Sequence, residues 1–158
     1  MYEDAQTQLW AAAALTASAV STNAYDLGTA PTTVSANGSV RDPSTGEQLV
    51  FVIAVGVAAD HTTGDETYEF DVISATANDL TTGQLIIAKY VILFSALTAG
   101  AIIVLSLPPL QAGTVIQRFL GLKYVGGGTT PTITVTAWIT MSKMVQAQAY
   151  YPTAIVVN

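Results

Sequence analysis

Residues 117–140 read QRFLGLKYVGGGTTPTITVTAWIT, and the fold is decided by how this stretch is read. In its first half Leu120, Leu122 and Tyr124 share one parity. In its second half Ile133, Val135, Ala137 and Ile139 alternate with Thr132, Thr134, Thr136, Trp138 and Thr140. A period of two over this length marks half-buried β-strands. Gly126, Gly127, Gly128 and Pro131 between them supply the backbone freedom and the fixed φ that a chain reversal needs. The local pattern predicts a long β-hairpin anchoring an all-β domain. It places the apolar set in the core and leaves two readings for the threonine face. In one, Trp138, Thr134 and Thr136 form an exposed interface; in the other, a loop or the N-terminal segment covers that face.

The rest of the chain supports the same class. Leu49–Val57 (LVFVIAVGV) is apolar on both parities, as expected of a central strand covered on both sides, with Gly56 marking a bulge or a close backbone approach. Thr67–Ala75 alternates, with Tyr68, Phe70 and Val72 on one side and Glu69 and Asp71 on a face expected to be solvated or turned to a basic partner. Strands are predicted at 85–93 and 101–107, ended by Pro108-Pro109, and a short one at Tyr25-Asp26. Residues 1–20 form an alanine-rich segment, read as a short helix or an extended arm, whose Trp10 is expected to dock on this domain or on a neighbour. A single domain then runs over 21–158. It includes a proline- and glycine-punctuated loop at 29–47 and an apolar tail with Tyr150 and Tyr151 that could reach a neighbouring copy. The expected architecture is a jelly-roll-like β-sandwich of about eight strands with an N-terminal arm.

Composition narrows the function. In 158 residues there is no cysteine, so disulfides and thiolate metal sites are excluded. Only 10% of residues are charged and 51% are hydrophobic, a surface expected to be covered by a partner or by further copies. The net charge is −6, and five scattered Lys and Arg cannot build a phosphate-binding groove, so nucleic acid is not an expected partner. Residues 9–20 are apolar like a signal peptide but follow Glu3 and Asp4 rather than a basic start, so export is not expected. Residues 90–117 carry no charge, yet turn residues at 95–100 and β-branched flanks favour two strands over a membrane helix.

No constellation supports catalysis. His61 is the only histidine, in DHTTGDE at 60–66, where Asp60, Asp65 and Glu66 do not follow the calcium-loop spacing. This loop is read as solvated, neither a cation site nor a zinc site. Glu69 and Asp71 project side by side from one strand instead of flanking a cleft. No cofactor and no enzymatic activity are expected. The interface candidates are Trp10, Trp138, Thr134, Thr136, Tyr150 and Tyr151.

An ordered series of short motifs spans most of the chain: Met1-Tyr2 with Asp4-Ala5-Gln6, Ser21-Thr22-Asn23, Asp26-Leu27-Gly28, Gly46-Glu47 with Leu49, Ala96-Leu97-Thr98-Ala99-Gly100, and Leu107-Pro108-Pro109. It continues through Gln117-Arg118-Phe119-Leu120-Gly121-Leu122-Lys123-Tyr124, Gly128-Thr129 and Val135-Thr136-Ala137. In these the chain resembles the capsid cement, or decoration, proteins of tailed phages, typified by a Bordetella podophage cement protein. The connection from Asp26-Leu27-Gly28 to Gly46-Glu47 is longer here than is usual in that family. The resemblance implies a virion protein on the exterior of an icosahedral capsid that clamps neighbouring major capsid proteins. It also implies a homo-oligomer, with a dimer favoured, and brings no catalytic residues. From the residues alone, a carbohydrate-binding jelly roll using Trp138, Tyr150 and Tyr151 is the alternative.

Overall fold

The computed structural model describes residues 7–28, 48–107, 116–142 and 145. The loop expected at 29–47, the Pro108-Pro109 stop and the tail with Tyr150 and Tyr151 lie outside the described residues. Nine strands run in chain order: β1 (Gln8–Leu15), β2 (Ala19–Val20), β3 (Tyr25–Asp26), β4 (Leu49–Val57), β5 (Thr67–Ala75), β6 (Leu85–Ile92), β7 (Ile102–Ser106), β8 (Phe119–Gly127) and β9 (Ile133–Met141). A 3-10 turn, Phe94–Ala96, joins β6 to β7.

The strands form two antiparallel sheets. One is four-stranded in the order β1-β9-β4-β7; the other runs β2-β8-β5-β6, with β3 also paired to β8. This is the jelly-roll arrangement, in which chain neighbours mostly fall in opposite sheets, so the expected all-β sandwich is the observed one. β4 and β5 have the bounds the sequence predicts, and the bulge falls at Gly56, between Val55 and Val57.

The hairpin predicted at 117–140 does not form. β8 pairs with β2, β3 and β5, whereas β9 pairs with β1 and β4. Residues 128–132 are therefore an arch that carries the chain from one sheet to the other. Alternation reveals which face of a strand is buried, not which strand lies beside it, and a glycine-proline turn serves a hairpin or an arch equally well. The predicted core parity is nonetheless observed: Leu120, Leu122 and Tyr124 join Ile133, Val135, Ala137 and Ile139 in one buried cluster with Phe51, Ile53, Tyr68 and Phe70.

Of the two readings of the N-terminal segment, residues 8–15 take the extended one, not the helix, and dock on this domain as strand β1, paired with β9. Register shifts on either side of Trp10, with Ala12 at φ 46°, obscure the period of two. They allow the consecutive Leu9 and Trp10 both to be buried. The Ala12 N–H released by this distortion donates to Thr136 Oγ1 at 3.1 Å.

Candidate functional site

In the acidic loop at 60–66 one side chain, Glu66, turns inward, while residues 62–65 stay exposed. Glu66 is buried and accepts hydrogen bonds from the N–H groups of Thr63 and Gly64, both at 2.9 Å, while the Thr63 hydroxyl stands 2.5 Å from Oε1. These donors, the hydroxyl first, hold its carboxyl down at about 2. Asp65 accepts from the Thr129 N–H at 3.1 Å and the Thr129 hydroxyl at 3.0 Å, which ties the loop to the β8–β9 arch. Asp60 Oδ1 accepts from the Thr62 hydroxyl. His61 stacks on Phe94 with ring centroids 3.6 Å apart, its Nδ1 lying 3.3 Å from Glu66 Oε2. The loop is thus a latch across one end of the sandwich, solvated over residues 62–65 as expected and anchored by the buried Glu66. Its carboxylates are spent on these bonds, and among the described residues no group of three or more His, Cys, Asp or Glu could hold a metal ion.

Three motifs of the series, at 21–23, 26–28 and 117–124, meet in space. Arg118 makes a bidentate ion pair with Asp26, at 2.8 and 2.7 Å, and the Gly28 N–H donates to the same carboxylate at 2.8 Å. The Ser21 N–H donates to the Leu122 carbonyl at 2.7 Å, and the Ser21 hydroxyl accepts the Leu122 N–H at 3.2 Å. At Gly121 a Cβ would lie 2.3 Å from Leu80 and 2.8 Å from Ser21 Oγ, so a larger residue there would displace these side chains. Each of these motifs has a structural task.

The interface candidates fare differently. Trp10 is 2% exposed and meets Phe70 of the other sheet edge to face at 6.5 Å, so it belongs to the core and is not available to a partner. Trp138 does stand on the outer face of its sheet, but it is 5% exposed and clustered with Val50, Val52 and Val145. The covered reading of that face holds for Trp138. Thr134 and Thr136 are half-buried, and Thr136 is engaged with the β1 bulge. Tyr150 and Tyr151 lie outside the described residues.

What sequence reasoning missed is the side of the sandwich where both sheets end. Among the described residues β6 pairs only with β5, and β7 only with β4, which leaves two open edges. They lie next to each other: the Tyr90 hydroxyl on β6 donates to the Ser106 carbonyl on β7. Exposed apolar side chains run around this edge, from Leu85, Ile86 and Val91 on β6, over Leu93 and Phe94, to Ile102 and Val104 on β7. Leu93 and Val91 are 74% and 69% exposed. β7 carries no charge, proline or bulge, the devices that keep an edge strand from pairing. The single lysine of β6, Lys89, is drawn onto Glu69 at 3.0 Å. The sequence signal was the uncharged run from residue 90; it could not show that both of its strands are edges.

The residues predicted as a membrane risk are these two strands and their turn, and no helix among the described residues is long and apolar enough to cross a membrane. A family model, Bbp16, matches residues 9–139, more than four-fifths of the chain. The chain belongs to the Bbp16 family. The name is that of a Bordetella phage protein, which agrees with the resemblance carried by the motifs and makes this a phage-related chain. The matched span runs from β1 through β9, so the Bbp16 unit is the whole sandwich, including the open β6–β7 edge. No curated protein matches the chain.

Proposed function

We propose that this chain is a capsid cement, or decoration, protein, bound to the exterior of an icosahedral phage head and stabilising it by clamping major capsid proteins. The observation that carries the reading is the open β6–β7 edge, whose one charge is Lys89, with its exposed apolar side chains. Monomeric soluble proteins rarely leave such an edge uncovered, and a strand or apolar ridge of a shell protein would satisfy both its backbone groups and its side chains. Membership of a phage-related family supplies the setting. The mechanism is avidity: modest contacts, repeated around a closed shell, add up to a stabilisation no single contact provides. Self-association, with a dimer favoured, belongs to the same proposal, as does the absence of catalysis, cofactor, nucleic-acid and membrane partners.

Purified particles are the test. They should contain this chain in fixed stoichiometry with the major capsid protein, and shells stripped of it should break at lower temperature. Intact particles lacking the chain would overturn the reading. Of the aromatics named for a carbohydrate-binding role, Trp138 is buried, and Tyr150 and Tyr151 lie outside the described residues.

A further inference from the structure

Asp71 lies in the middle of β5, on the face opposite the core residues Phe70 and Val72. Its exposure is 0%, and neither carboxylate oxygen has a hydrogen-bond partner. Directly across the ladders stand Lys89 on β6 and Lys123 on β8, the two cations that could neutralise it. Both are committed elsewhere: Lys89 Nζ donates to Glu69 Oε1 at 3.0 Å, and Lys123 Nζ donates to Gln84 Oε1 at 3.5 Å. A buried, ionised carboxylate without a donor is among the costliest states for a side chain. Glu69, two residues away, stands on the same face of the strand. Two carboxylates have no proton to bond with, whereas a carboxylic acid donates to a carboxylate readily.

We propose that Asp71 and Glu69 share one proton, resident on Asp71, and that this proton is a structural component of the sheet holding edge strand β6. With it, Asp71 is a neutral donor to Glu69, Glu69 accepts from both Asp71 and Lys89, and only the Asp71 side-chain carbonyl oxygen is left without a donor. Without it, β5 holds two adjacent negative charges, one of them buried and lacking a donor. The groups that face Asp71 are Glu69 from its own strand, Lys89 from β6 and Lys123 from β8. Their balance assigns the proton: burial, then the Glu69 charge, pushes the Asp71 carboxyl up, while the Lys89 bond holds Glu69 down.

The sign of the linkage follows. A carboxyl raised in the folded state contributes stability that is complete below the ordinary aspartate pKa of about 3.9 and is lost as pH climbs through the folded value. Each unit of elevation is worth roughly tenfold in the folding equilibrium constant. No capsid or other partner is needed, so this inference stands or falls separately from the docking reading.

The experiment is carried out on the full chain. The Asp71 side-chain carboxyl carbon is followed by NMR from about pH 3 to about pH 8, a window around the ordinary aspartate value. Urea midpoints of wild type, Asp71→Asn and Glu69→Gln are measured over the same window. Asp71 should titrate well above the ordinary aspartate value, and Glu69→Gln should bring it down. Asp71→Asn, which supplies the donor permanently, should abolish the loss of midpoint that wild type shows as pH rises. An Asp71 carboxyl titrating at the ordinary value, or an Asp71→Asn slope equal to that of wild type, would overturn the proposal. If Asp71→Asn does not fold, the wild-type carboxyl titration decides alone.

Discussion

Gly128→Ala should destabilise the fold by more than its backbone angle alone explains. Gly128 opens the β8–β9 arch at φ 84°, where an L side chain costs about 1–2 kcal/mol. A Cβ there would also lie 2.3 Å from the Asp65 carbonyl oxygen, 2.6 Å from its carbon and 2.9 Å from Glu66 Cα. All three are backbone atoms of the acidic latch, so no side-chain rotation relieves the overlap. Forcing an extra carbon into such a site adds about 1–3 kcal/mol, for a total of about 2–5 kcal/mol. In a chain of this size that is a fall of roughly 4–20 °C in Tm. Gly64→Ala is the internal control: Gly64 has nearly the same φ, 82°, but its Cβ would meet nothing within 4 Å. It should cost only the backbone share, about 1–2 kcal/mol. Urea unfolding followed by far-ultraviolet circular dichroism measures both, with unchanged m-values confirming that the folded state is the one perturbed. Equal losses for the two variants would mean that the arch does not press on the latch, and the inter-sheet reading of 128–132 would fail.

Four further outcomes follow. Glu66, held at about 2 against an ordinary 4.5, contributes stability that is present above the higher value and lost as pH falls between the two; Glu66→Gln should flatten that acid limb in a pH series of thermal melts. Tyr124 buries a phenol hydroxyl with no partner, so Tyr124→Phe should leave stability unchanged or raise it by about 1 kcal/mol in urea titrations, whereas a clear loss would show an unseen bond. Trp10→Ala should cost about 3–5 kcal/mol of folding stability, and Trp138→Ala should also weaken the isolated chain instead of sparing it as a pure interface residue would; calorimetry of both variants checks this. Val91→Lys combined with Val104→Lys, both exposed on the open edge, should shift Tm by less than about 2 °C, in line with the small cost of surface substitutions, while abolishing rebinding to stripped shells in a sedimentation assay.

The fold class was legible because most strands announce themselves by alternation, and β4 by being apolar on both faces. Pairing was not, and the clearest stretch misled for that reason: residues 120–124 and 133–139 show their buried faces but not that those faces meet across the core from opposite sheets. The β1 bulge broke the only local signal that would have placed Trp10 inside. In the loop at 60–66 the charges suggested solvent, yet Thr63, three residues before Glu66, supplied a capping donor that the spacing could have shown. Asp71 shares a parity with Glu69 and so read as solvated. Its burial comes from cross-strand neighbours on β6 and β8, which only the register reveals. The docking edge is the sharpest case. Lack of charge was visible from residue 90 onward, but exposure is a property of where β6 and β7 end their sheets.

The most direct test of the docking reading is a side-chain-resolution density map of the assembled phage particle. It should show this sandwich on the outside of the shell, with Val91, Leu93, Ile102 and Val104 buried against major capsid protein. A bound chain whose β6–β7 edge faces solvent, or a shell without the chain, would contradict it.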